Sequence, residues 1–188
     1  MLFRSLQFDG SNDYILIDDN EVFHIESEIT QAAWVKLDKL PSNHAIIFGT
    51  RADGGGRNIG FGYGMTPDNG IKVWTNGKTG GFKDINDNKT ELKVGQWYYM
   101  AYTHTTDNDG LVRIFVDGTV THEEESKNPV LPAVNTSAVQ VGTWAGEAWP
   151  GAVDEVQLWN RALSEAEIKA NMDNKLAGSE SGLVGHWN

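Results

Sequence analysis

GAVDEVQLWNRALSEAEI, residues 151–168, joins an apolar run holding two adjacent carboxylates to a strongly marked helix start. Its first half predicts a strand. Successive side chains on a strand point to opposite faces, so Asp154 and Glu155 cannot converge on one bond and are not a catalytic dyad. Alternation groups Asp154 with Ala152, Val156 and Leu158, an apolar set in which an unpaired carboxylate would be costly. The second half predicts a helix. Ser164 can cap it, Glu167 three residues on completes a capping box, and Leu163 can meet Ile168 as a hydrophobic staple. Ile168, Met172 and Leu176 continue a narrow apolar stripe that suits a helix lying on a sheet rather than inside a core.

Upstream, short or alternating apolar runs bounded by Gly, Asn and Asp recur: LFRSLQF, DYILI, ITQAAWVKL, HAIIFG, IGFGY, IKVW, QWYYMAYTH, LVRIFVDGTV and SAVQVGT. Their spacing predicts an all-β sandwich. Asp117-Gly118 is a two-residue hairpin signal, because both central residues of a type I′ turn need positive φ. LVGHW near the end predicts a last strand beside the first.

The chain has 188 residues, with 7 Trp, 5 Tyr, 7 Phe and no Cys. That length predicts one domain, residues 1–188. Neither disulfides nor thiolate metal sites are available. A net charge of -11 argues against nucleic acid, sulfated glycans and anionic membrane surfaces, all of which are bound by Lys and Arg. Residues 51–93 carry 7 Lys+Arg against 5 Asp+Glu, leaving 8 against 21 elsewhere, so the middle loops are the less acidic place for a ligand. MLFRSLQFDG lacks the apolar core of a signal peptide, and nothing approaches a membrane-spanning run. An export signal would lie outside this stretch.

LQFDGSNDYILI, ITQAAWVKL, GQWYYMAYTH with GLVRIFVDGTV, and GAVDEVQLWNRALSEAEI, in that order, resemble the laminin-G-like, concanavalin A-like jelly rolls. That family is similar to pentraxins and to lectin modules attached to secreted bacterial enzymes. The resemblance implies an antiparallel jelly roll of two curved sheets with one short C-terminal helix, a groove on the concave face and loops on one rim. It implies location outside the cell or on its surface, within a larger exported protein. It also implies a structural calcium joining the first strand region to an Asp near the last, which maps onto Asp9, Asn12, Asp13 and Asp154. The alternative is that Asp154 accepts backbone N–H bonds from the DGSND loop, Asp9–Asp13. The related glucanases use a Glu-x-Asp-x-Glu strand, and no such strand stands here. The nearest acid cluster, Glu123–Glu125, reads as a solvated run.

Other motifs dissolve on inspection. Asn76–Gly81, NGKTGG, contains Gly-Lys-Thr, but a phosphate loop needs Gly where Lys72 stands and a following helix. TDNDG at 106–110 and DINDNKTE at 84–91 lack the spacing of a calcium loop and read as turns. His24, His44, His104, His122 and His186 form no zinc-binding pair.

The aromatic residues give the better lead. Trp34, Trp97, Trp159 and Trp187 sit within apolar runs and read as core. The resemblance adds Trp149. Trp74 and Trp144 stand at strand ends beside Gly and polar residues, where an exposed ring could stack on a sugar. Arg57, Tyr63 and Asn76 could supply hydrogen bonds in the same groove. The competing reading is that these rings close the ends of the core. The expected function is thus a non-catalytic recognition module that binds a glycan or surface protein. A structural or adhesive spacer, and less so a glycoside-cleaving enzyme, are the alternatives.

Overall fold

A computed structural model describes residues 5–25, 27–51, 59–77, 81–127, 138–143 and 146–188. The strands are β1 (Leu6–Asp9), β2 (Ile15–Ile17), β3 (Ile29–Leu37), β4 (Ala45–Arg51), β5 (Ile59–Met65), β6 (Ile71–Gly77) and β7 (Gly81–Asp87). They continue as β8 (Trp97–His104), β9 (Leu111–Val116), β10 (Thr119–Glu125), β11 (Val139–Val141), β12 (Pro150–Trp159) and β13 (Leu183–Trp187), with α1 at Glu165–Asp173. Two antiparallel sheets stack as a jelly-roll sandwich. One has seven strands in the order β1-β12-β3-β8-β9-β10, with β13 also on β12, and the other has six, β2-β11-β4-β5-β6-β7.

Alternation builds the main core between the sheets. Val35, Tyr98, Met100 and Val153 face inward from one sheet, and Phe48, Tyr63, Val73 and Ile85 from the other. A second apolar layer lies on the outer face of the seven-stranded sheet, where Ile168 and Leu163 pack on Ala32, Ala101, Phe115 and Trp159. Helix α1 forms there because its start is satisfied on both sides: Glu167 N–H donates to Ser164 Oγ at 3.3 Å and Ser164 N–H donates to Glu167 Oε2 at 2.8 Å. The expected capping box is present. Asp117 and Gly118 have φ of 49° and 73°, the left-handed pair that the β9–β10 hairpin requires.

Three expectations are corrected. The last strand does not lie beside the first: β13 pairs with Val156–Trp159 of β12 while β1 pairs with Pro150–Val153, so the two lie end to end on one edge. Between them sits a bulge. The β12–β3 register shifts between Asp154 and Gln157, and Glu155 has φ of 50°. One extra residue in a strand reverses its alternation. Val156 and Leu158 therefore face the main core, whereas Asp154 is paired with Trp34, on the outer face.

Glu123–Glu125 lies in β10 with Glu123 and Glu125 exposed, as a solvated run should be, and its carboxylates make surface pairs with Arg113, with Lys83 and His122, and with Lys127. The tryptophans divide. Trp149 and Trp159 are buried, and Trp187 packs partly on the main core. Trp34 and Trp97, expected inside, are half-buried on the outer face of the seven-stranded sheet.

Candidate functional site

The rim of the sandwich at the β3–β4 turn holds a cleft of about 310 Å³. Three segments build it: residues 39–44, Gly10 from the β1–β2 turn, and the approach to β12 from Gly146 to Pro150. Backbone bonds fix their mutual position, with Ile46 N–H donating to Glu147 O at 3.0 Å and Asp38 N–H to Pro150 O at 2.9 Å. Gly10, at φ of 75°, brings its Cα against Pro150: a Cβ there would stand 2.7 Å from the Pro150 Cβ and 3.4 Å from the Lys39 stem. Only glycine allows that approach.

The lining mixes two kinds of surface. Leu40, Pro41, Ala148 and Pro150 are apolar, while Lys39, Ser42, Asn43 and His44 offer donors and acceptors. Among the described residues, no carboxylate lines it. Glu147 meets the His44 ring, Nδ1 to Oε1 at 3.4 Å. His44 also reaches inward, its ring edge-on to Trp74 with centroids 5.8 Å apart.

Trp74 itself is not an open platform. It stands on the outer face of the six-stranded sheet, opposite Gly62, yet is only 4% exposed. The Lys72 ammonium lies 5.3 Å from its ring centroid and pairs with Asp84 at 2.7 Å. Tyr63 points the other way, into the core against Tyr102, with ring centroids 5.5 Å apart. Its phenol has no hydrogen-bond partner among the described residues, and burial pushes its pKa well up. Tyr63 and Trp74 therefore cannot share a ligand. Asn76 lies in β6 opposite Phe82. Arg57 and Trp144 fall outside the described residues.

Of the four residues expected around calcium, Asp9, Asn12 and Asp13 share one turn, and Asp154 stands apart from them. Asp9 is opposite Pro150, and Asp154 lies four residues further along β12, roughly 13 Å of strand. The nearer acids are occupied by their own loop. Ser11 and Asn12 N–H donate to Asp9 Oδ1 at 2.7 and 3.3 Å, and Asp9 N–H donates to Asp13 Oδ2 at 3.0 Å. Among the described residues, no group of three or more His, Asp or Glu forms a metal cage. Asp154 accepts not from the DGSND loop but from Glu155 N–H at 2.9 Å. Its burial raises its pKa, a shift that this hydrogen bond opposes. Glu155 turns away to pair with His186.

Sequence reasoning missed Lys39 and His44, which both line this cleft. The available signal was the polar Ser-Asn-His following Leu-Pro at 40–44, between two strand runs.

A family model described as the concanavalin A-like lectin/glucanases superfamily, Laminin_G_3, matches residues 9–169. No curated protein sequence matches the chain. Among solved structures, a presumptive carbohydrate-binding protein from Bacteroides ovatus is 19% identical with a TM-score of 0.74, covering 99% of this chain and 52% of its own. The chain thus spans about half the length of that protein. A heptameric pentraxin from Limulus polyphemus is 16% identical (TM-score 0.63; 88% of this chain, 79% of that one). Domain 4 of an extracellular arabinanase from Geobacillus stearothermophilus, solved with arabinotriose, is also 16% identical (TM-score 0.66; 88% and 75%). At these identities the likeness is one of fold.

Proposed function

The chain belongs to the concanavalin A-like lectin/glucanase superfamily, and from that premise we propose that it is a non-catalytic module that recognises carbohydrate at its rim cleft, as part of a longer exported protein. The rim cleft carries this reading. Its wall of Leu40, Pro41 and Pro150 can take the apolar face of a sugar ring, while Lys39, Ser42, Asn43 and His44 meet hydroxyls, the usual composition of a small-molecule site. Trp74 acts from behind by holding the His44 ring rather than by stacking on the ligand.

The non-catalytic part rests on the carboxylates. Cleavage of a glycosidic bond uses two acids flanking it, about 5 to 9.5 Å apart. Asp154 and Glu155 lie on the seven-stranded sheet and are directed to different partners, and Glu147 is engaged with His44. Attachment to a larger protein draws on the arabinanase neighbour, which is one domain of an extracellular enzyme. Calcium is a separate proposal, in which the ion would need ligands beyond the Asp9–Asp13 loop.

A glycan array read in calcium and again in EDTA tests this function. Binding in both conditions, lost in His44→Ala, is expected. Silence in both favours the spacer reading, and hydrolysis of any polysaccharide overturns the non-catalytic assignment. Loss only in EDTA would install calcium in the site.

A further inference from the structure

The six-stranded sheet ends at β2, which pairs with β11 on one side and, among the described residues, with no strand on the other. The neighbouring ladder fixes which way its free groups point. Gly142 N–H donates to Ile47 O in β4 at 2.9 Å, and across one planar peptide the N–H and the preceding C=O point opposite ways. Val141 C=O is therefore turned towards β2. Backbone groups alternate in direction along an antiparallel strand, so Val141 and Val139 bond to their register partners Ile15 and Ile17. Leu16, opposite Gln140, aims both its N–H and its C=O away from the sheet. Among the described residues no hydrogen bond meets them.

Side chains alternate as well. Ile15 and Ile17 pack on the main core, which puts Tyr14, Leu16 and Asp18 on the outer face. Tyr14 and Leu16 are 55% and 52% exposed, and Asp18 is exposed beside them. We propose that β2 is the docking edge for an extended segment of another protein, which adds a strand beside Leu16 and carries an apolar side chain opposite Leu16 with Lys or Arg two residues away, opposite Asp18. This goes beyond the carbohydrate reading and does not rest on it.

Charge selects the occupant. Between Arg4 and Lys36 the chain holds seven Asp and Glu and no Lys or Arg. Four of those acids, Asp13, Asp18, Asp19 and Glu21, flank β2. Asp13 accepts from Asp9 N–H, and Asp19 pairs with His24 at 2.9 Å. Asp18 and Glu21 have no cationic partner among the described residues. The adjoining β11, Val-Gln-Val, is uncharged, and Arg51 closes β4 two strands in. Short length and flanking charge are the usual guards against an edge pairing with its own copies. Here the guard has one sign, so a second copy of this chain brings Asp18 and its neighbours against their own kind. A basic strand meets no such repulsion. Its main chain satisfies Leu16, and its alternate side chains read Tyr14, Leu16 and Asp18.

Fluorescence anisotropy on the full chain tests the edge with a labelled peptide, Gly-Lys-Thr-Val-Thr-Lys-Gly, whose Lys, Val and Lys share one face in either strand direction. The controls are Gly-Glu-Thr-Val-Thr-Glu-Gly and the basic peptide N-methylated at Thr, Val and Thr. The basic peptide should bind saturably and slow hydrogen exchange at the Leu16 amide. Affinity should fall at least tenfold for either control peptide and in Leu16→Ser, and at least threefold in Asp18→Asn. Both substituted side chains are exposed, and melts check the fold; should a variant unfold, the peptide controls and the Leu16 amide of wild type still decide. Equal binding of the N-methylated peptide, or binding that survives in both variants, overturns strand addition. Equal binding of the acidic peptide overturns the basic partner. No binding of any peptide overturns the proposal, and a wild-type dimer in sedimentation that Leu16→Ser abolishes overturns it in favour of self-pairing.

Discussion

The two outer faces of the sandwich treat tryptophan in opposite ways. On the six-stranded sheet Trp74 is sealed, with His44 and Lys72 against its ring and 4% of its surface exposed. On the seven-stranded sheet Trp34 and Trp97 are half open, although they lie in the more apolar stretches. Reading from sequence reverses the two, taking Trp74 as a platform and the other pair as core. Alternation tells which residues share a face, but the depth of burial depends on what a third layer covers. On one sheet that layer includes α1, with Trp34 only partly buried at the margin of its apolar cluster; on the other, it includes the ring of His44.

The contrast is broken most easily by stability. Trp74→Ala should remove a fully packed ring and cost about 3–5 kcal/mol, lowering the melting temperature by roughly 10 °C for a chain of this size. Trp97→Ala should cost less than about 1.5 kcal/mol. Equal losses from thermal melts of the two variants would erase the distinction between the faces.

A smaller effect tests the helix that covers part of the seven-stranded sheet. Ser164→Ala removes the cap and should cost about 1 kcal/mol, measured by urea unfolding. Its partner gives a pH signature. The Ser164 backbone N–H, aided by the Ser164 hydroxyl and Arg161 and opposed by burial, holds Glu167 below its ordinary pKa. A depressed acid stabilises the fold above its unfolded pKa, and that contribution is lost as pH falls through the folded value. Glu167→Gln should therefore differ most from wild type near neutrality and converge with it in acid. A constant difference across the range would contradict the capping role.

The smallest expected effect is at the bulge. Burial raises Asp154, so its ionised form is disfavoured in the folded state and its contribution becomes more favourable as pH falls through the folded pKa. Asp154→Asn keeps an oxygen for Glu155 N–H and discards the buried charge. Its melting temperature should match wild type or rise slightly at neutral pH. A clear drop, reproduced in wild type by EDTA, would return Asp154 to a metal site.

Much of the architecture was readable in the chain. The apolar runs, Asp117-Gly118 and Ser164-x-x-Glu167 each announce local geometry that short-range sterics and hydrogen bonds enforce. The bulge at Glu155 was not readable, because its positive φ arises where β12 must serve β1 along one half and β13 along the other. The same bulge turned Val156 and Leu158 to the face opposite Asp154, and the β1–β12 register, equally silent in the chain, set Asp9 against Pro150 and so apart from Asp154. The rim cleft was equally hidden: Gly10, His44 and Pro150 are distant in sequence and meet only after the sheets stack.

The most direct test of carbohydrate recognition at the rim is an NMR titration of ¹⁵N-labelled chain with the glycan selected by the array. Saturable shifts should concentrate at residues 39–44 and 146–148. Binding that leaves the 39–44 amides unmoved would contradict the account.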